Sequence, residues 1–162
     1  MKKRLLFYEL VKHLEHKNAL LITGMRQVGK TTLMRQVFEE VKEPKLWFDF
    51  DNPLDQKVFE DEDYKVIYQR LTEMGKKQGK LSVFIDEIQN FPDITKVIKY
   101  LIDHNGVKFY LTGSSSFYRM RFPTECFVKI KGILTNGASS PASKWKVSFI
   151  DVDPFGHNPK NP

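Results

Sequence analysis

The 162-residue chain has a single cysteine, Cys126, so no intrachain disulfide can form. Its four histidines are scattered without metal-ligand spacing, which removes a histidine- or cysteine-built metal centre. No apolar run reaches the roughly 20 residues that cross a bilayer, so a membrane is not among the expected partners. The N-terminal stretch Met1-Lys2-Lys3-Arg4-Leu5-Leu6-Phe7-Tyr8 is basic and then apolar, as a leader would be. Glu9, Lys12, His13, Glu15 and His16 interrupt it at helical spacing, and an amphipathic helix is the better reading. A reducing cytoplasm is the expected compartment. A strong excess of charge is missing too. The net +6 divides into seven bases against three acids in residues 119–162, a surplus of four, which leaves two for residues 1–118. That basic tail is a candidate DNA contact, although a surplus of this size is also what a solvated surface carries.

What the chain does contain is an alternation of strand and helix patterns. Leu5, Leu6, Leu10, Val11 and Leu14 fall on one helical stripe that stops at Asn18. Ala19 to Thr23 is a short apolar run with the character of a buried strand. Thr31 to Val41 follows as a helix that buries Leu33, Met34, Val37, Phe38 and Val41, and Glu43-Pro44 ends it. Lys45 to Phe50 alternates as a second strand and Asn52-Pro53 breaks it. Residues 54–74 are helical in pattern, with a separate helix starting at Asp61-Glu62-Asp63. Leu81 to Asp86 forms a third strand. Pro92-Asp93 opens a helix that Asn105-Gly106 closes, and Val107 to Thr112 is a fourth strand ending at Gly113. Such an order predicts right-handed crossovers and a mostly parallel sheet covered on both faces, with ligands beyond the carboxyl ends of the strands.

Gly24-Met25-Arg26-Gln27-Val28-Gly29-Lys30-Thr31 stands between the first strand and its helix, where a phosphate-binding loop belongs. The glycines let successive N–H groups curl around phosphate oxygens, and the new helix points its positive end at the anion. The binding set is therefore Gly24, Met25, Arg26, Gln27, Val28, Gly29, Lys30, Thr31 and Thr32. Lys30 reaches the outer phosphates and Thr31 offers a hydroxyl to Mg²⁺. Ser82-Val83-Phe84-Ile85-Asp86-Glu87 delivers two carboxylates at a strand end. Asp86 joins Thr31 at the magnesium, and Glu87 orients and deprotonates an attacking water. In Thr112-Gly113-Ser114-Ser115-Ser116, Ser114 is the first choice for a polar group at the terminal phosphate and Thr112 the second. Serine capping of a helix before Phe117 explains the same residues equally well.

Together Gly24 to Leu33, Phe84-Ile85-Asp86-Glu87-Ile88-Gln89 and Leu111 to Ser116 resemble the AAA-type ATPases. The likeness is to the prokaryotic group whose ATPase module precedes a domain of unknown function and a nuclease-like C-terminal region. It covers about residues 1–122. The resemblance implies a three-layer α/β P-loop NTPase fold that binds and hydrolyses ATP with Mg²⁺ on behalf of an unknown partner. Lys30, Glu87 and Ser114 would be its catalytic residues, with Asp86 on the metal and Ser114 sensing the γ-phosphate. It also implies homo-oligomers, because such modules complete catalysis with an arginine from a neighbouring subunit. Arg119 and Arg121 are candidates for that finger and equally for surface charges, while Arg26 has no assignable role.

The pattern departs from the family after Phe122. The expected division is an ATPase core over residues 1–121 and an atypical basic, Gly/Pro/Ser-rich tail over 122–162, with a last candidate strand at 145–152. No lid domain follows, as a truncated or frameshifted gene would look, and that origin is favoured over a small natural variant. Three functions remain open: an ATPase, a nucleotide-binding module without turnover, and a nucleic-acid-binding accessory module.

Overall fold

The computed structural model describes residues 17–24, 27, 29–76, 80–114, 127–132 and 145–146. The helix expected over the N-terminal stripe lies outside them. Among the described residues the order is β1 (Ala19–Gly24), α1 (Lys30–Glu40), β2 (Lys45–Asp49), α2 (Pro53–Lys57), α3 (Tyr64–Gly75) and β3 (Ser82–Asp86). A 3₁₀ turn (Ile88–Asn90), α4 (Ile94–Asn105), β4 (Lys108–Ser114), β5 (Phe127–Gly132) and β6 (Trp145–Lys146) complete it. The helix boundaries have local causes. Asn52 caps α2 by accepting from the N–H of Leu54, with Pro53 in the first turn. Asp63 caps α3 through the N–H of Lys65, so residues 54–74 divide into two helices near the acidic run. Gly106 ends α4 in the left-handed conformation at φ 64°, which a residue without Cβ adopts at no steric cost.

The sheet runs β2-β3-β4-β1-β5-β6, and every neighbouring pair is parallel except β5 and β6. β4 is thus inserted between β1 and β3. One face packs Ala19, Leu21, Val83, Ile85, Phe109 and Leu111 against Ile67 and Leu71 of α3 and Ile98 and Leu101 of α4. The other packs Leu20, Ile22, Phe84 and Tyr110 against Leu33, Met34 and Val37 of α1. The alternation along each strand therefore separates two cores, and helices cover both faces of the sheet.

One expectation about the far end needs correction. The stretch from Phe122 to Lys144 carries a strand, β5, that lies parallel to β1 with Ala19 opposite Phe127 and Thr23 opposite Lys131. Its Phe127-Val128-Lys129-Ile130-Lys131 sequence alternates apolar and basic residues, the period of a strand. The candidate strand at 145–152 is described only at Trp145–Lys146, where it pairs antiparallel with Gly132 and Lys131.

At the amino ends of the strands, Glu43, Lys80, Ser82, Lys108 and Tyr110 line a cavity of about 190 Å³. Lys108 donates to the carbonyl of Asn18 at 2.6 Å and lies 5.5 Å from the centre of the Tyr110 ring. Burial, then the nearby Lys80 charge, lowers its pKa to about 8, and burial raises that of Tyr110. Between about 8 and 10.5 the unfolded chain holds a proton on this lysine that the folded chain has released, so stability rises with pH there. The rise ends near pH 10, where tyrosine ionises first in the unfolded chain. Urea unfolding at pH 7.5 and 9.5 should show a gain that Lys108→Met removes, with a slope of at most about 1.4 kcal/mol per pH unit for one proton. Equal pH dependence in both proteins would contradict it.

Candidate nucleotide site

Three carboxyl ends meet at the opposite edge of the sheet. Gly24 closes β1, Asp86 closes β3 and Ser114 closes β4, and Gly24 stands directly opposite Ser114. Between β1 and α1 the chain turns through left-handed residues, Gln27 at φ 63° and Gly29 at φ 87°. Gly29 occupies the cap position of α1 without a side chain, and no acid sits in the first turn. Among the described residues the first N–H groups of the helix thus have no side-chain cap and no acid within their own turn, an arrangement that suits an anion. Met25, Arg26 and Val28 lie outside the described residues.

Lys30 is the first residue of α1. It is buried and folds back to donate from Nζ to the carbonyl of Gly24 at 3.4 Å. Thr31 is half-buried and Thr32 exposed. Across the sheet, the Oδ1 of buried Asp86 accepts from the hydroxyl of Thr112 and from the N–H of Glu87. That N–H also points at Thr112 Oγ1, 3.2 Å away. Glu87 itself is left-handed, at φ 53° and ψ 46°, a conformation that costs a residue with a Cβ on the order of 1–2 kcal/mol. Strain of this kind at a strand end aims a side chain away from the strand's own alternation.

Beyond Glu87, the amide of Gln89 donates through Nε2 to Glu87 Oε2 and accepts through Oε1 from the N–H of Ser114 at 3.1 Å. Lys30, Asp86, Glu87 and the tip of β4 therefore stand at one edge of the sheet. The two candidates on β4 enter this network in different ways. Thr112, the second choice, touches Asp86, whereas Ser114 joins the network through its backbone N–H. Sequence reasoning assigned no role to Gln89. The available signal was an amide side chain two residues past a carboxylate, at a turn. Thr112→Val keeps the shape of the strand and deprives both Asp86 and the Glu87 N–H of a partner. It should cost about 1–3 kcal/mol in denaturant unfolding, and a neutral result would show that the hydroxyl carries neither bond.

The family model of the AAA domain matches residues 16–130, from the approach to β1 into β5. The chain belongs to the AAA domain family. Its core is accordingly a nucleotide-binding ATPase core. Uncharacterised proteins of Mycobacterium tuberculosis H37Rv and Mycobacterium bovis are each 33% identical to it over 99 residues, 60% of this chain and 20% of theirs. This AAA domain thus spans about a fifth of the length of the curated relatives it matches. Among solved structures, the Aeropyrum pernix ORC1 protein in complex with DNA aligns at TM-score 0.53 and 16% identity, over 72% of this chain and 40% of that one. Drosophila ORC bound to DNA gives 0.55 at 10% identity, over 81% and 90%. Pif1 helicase, in a structure of two helicases at forked DNA, gives 0.52 at 16%, over 70% and 34%. At these identities the likeness is one of fold, the α/β sheet of P-loop NTPases. No helix among the described residues is long and apolar enough to cross a membrane.

Proposed function

We propose that this AAA domain binds Mg²⁺-ATP at the carboxyl edge of its sheet and hydrolyses it to ADP and phosphate, passing the resulting change to a partner. The observation that carries the reading is the meeting, at one sheet edge, of buried Lys30 folded onto Gly24 and the Thr112–Asp86–Glu87 network. The residues fit the group. The start of α1, with no side-chain cap and no acid in its first turn, suits phosphate. A carboxylate and a hydroxyl, Asp86 and Thr31, are the hard oxygen donors that Mg²⁺ prefers. Both hydrogen bonds to Asp86 among the described residues fall on Oδ1, so Oδ2 would be the oxygen left for the metal or its water.

In this reading Gly24, Met25, Arg26, Gln27, Val28, Gly29 and Thr32 form the cradle with Lys30 and Thr31. Lys30 places its ammonium on the outer phosphates. Mg²⁺, held by Asp86 and Thr31, would supply further positive charge beside the phosphates. Glu87 holds a water and takes its proton, and Ser114 meets the terminal phosphate. The same reading draws the ATPase core over residues 1–121 and the tail over 122–162 except for β5, which joins the core sheet beside β1. A cytoplasmic setting, assembly with further copies, and the domain of unknown function and nuclease-like region of the group it resembles belong to this reading. DNA contact through the tail is a second reading, supported by the four surplus positive charges of residues 119–162.

The test of the first reading is nucleotide affinity. Lys30→Ala removes a charge-assisted contact of about 1.5–3 kcal/mol, so Mg²⁺-ATP affinity in calorimetry should fall roughly ten- to a hundredfold. Wild-type affinity in that variant would remove the loop from the site.

A further inference from the structure

Gln89 ties the carboxylate of Glu87 to the strand carrying Ser114. Its orientation follows from its neighbours. The Ser114 N–H is a donor, so the amide must turn its Oε1 toward β4, and only Nε2 is left to meet the Glu87 carboxylate. The turn geometry supports this. Glu87 is left-handed at φ 53°, and a 3₁₀ turn over Ile88–Asn90 closes with the N–H of Asn90 on the Glu87 carbonyl at 3.1 Å. Ile88 is fully buried and anchors that turn to the core, so Gln89 springs from a fixed base. Asp86 already has its own bond to β4 through Thr112. The Gln89 bridge is a second and separate connection, and it reaches the other carboxylate.

We propose that Gln89 is a positioning residue for hydrolysis: its amide fixes the Glu87 carboxylate relative to the tip of β4, so that the base and the Ser114 position move as one unit. This rests on the ATPase reading above. A carboxylate on a free side chain samples several rotamers, and only one of them presents an oxygen to a water held against the terminal phosphate. One amide hydrogen bond to Oε2 removes most of that freedom and leaves Oε1 for the water. The other end of the same amide is set by the backbone of Ser114, so a displacement of β4 reaches the Glu87 carboxylate by a route separate from the Thr112–Asp86 bond.

Two replacements separate the halves of the bridge. Gln89→Ala removes both, whereas Gln89→Glu keeps an acceptor for the Ser114 N–H and puts a carboxylate where the donor was. Phosphate release at saturating Mg²⁺-ATP should fall about tenfold in Gln89→Ala and further in Gln89→Glu, with nucleotide affinity within about twofold of wild type in both. Amide hydrogen exchange at Ser114 should quicken in Gln89→Ala and stay slow in Gln89→Glu. Unchanged turnover in Gln89→Glu, or an affinity loss that matches the loss of turnover, overturns the proposal. Glu87→Gln tells this failure from that of the ATPase reading. If it hydrolyses ATP as fast as wild type, or if wild type does not turn over, the ATPase reading fails and the positioning role fails with it. If Glu87→Gln is inactive and Gln89→Glu is not, only the positioning role is lost. Exchange at Ser114 that is the same in wild type and Gln89→Ala rejects the bridge whatever the turnover.

Discussion

Glu87→Gln should lower phosphate release by about a hundredfold or more and leave Mg²⁺-ATP bound, because general-base catalysis contributes on the order of 10²–10⁴. The replacement is isosteric, so the left-handed turn at Glu87 and the burial of Ile88 beside it need not change. What changes is basicity: an amide oxygen does not accept a proton from water near neutral pH. The N–H of Glu87 keeps its bonds to Asp86 Oδ1 and Thr112 Oγ1, since these come from the backbone. Lys30 and the start of α1 are likewise untouched. Affinity and turnover should therefore separate, with calorimetry giving wild-type binding while a phosphate-release assay falls toward background. A variant that hydrolyses at the wild-type rate would exclude Glu87 as the base. Loss of binding together with turnover would mean that the carboxylate holds nucleotide instead.

The sheet was largely legible in the sequence because each of its first four strands is a short apolar run bounded by turn residues, and each helix has an apolar stripe. Ala19 to Gly24 and Ser82 to Asp86 are buried along their whole length, which is why they read as continuous hydrophobic runs. β5 was not legible in the same way. Lys129 and Lys131 interrupt its apolar residues, and the glycine and serine that follow look like loop. Nothing local announces that it pairs with a strand more than 100 residues earlier. Within the site, Lys30, Asp86 and Glu87 are specified by motif and by position after a strand. The roles of Thr112 and Gln89 depend on which strand lies beside β3. That neighbour is β4, a consequence of strand order that one-dimensional periodicity does not contain. Thr112, buried two positions before the tip, reaches Asp86, and Ser114 at the tip donates its backbone N–H to Gln89.

Phe84→Ala should destabilise the fold by about 3–5 kcal/mol, the range for a large aromatic removed from a core. Phe84 is fully buried on β3, two residues before Asp86, on the face covered by α1. Its ring stacks on Tyr110 at 4.3 Å and 11°, lies nearly parallel to Trp47 at 6.0 Å and meets the edge of Phe38 at 4.9 Å. Aromatic pairs add roughly 0.5–1.5 kcal/mol each beyond area burial, and three partners share this one ring. The partners come from β4, β2 and α1, so one truncation opens a void among four elements. Their backbones are held by the sheet ladder and cannot close it fully. A loss of this size is a large share of the 5–15 kcal/mol typical of a whole domain. Leu54→Ala is the matched control. Leu54 is 68% exposed on α2 and should change stability by no more than about 0.5 kcal/mol. Urea unfolding of the three proteins, fitted with a common m-value, gives the comparison. A Phe84→Ala loss below about 1 kcal/mol would mean that α1 does not close over this face as described. Lys30 begins α1, so the proposed phosphate loop would then lack the packed helix that positions it.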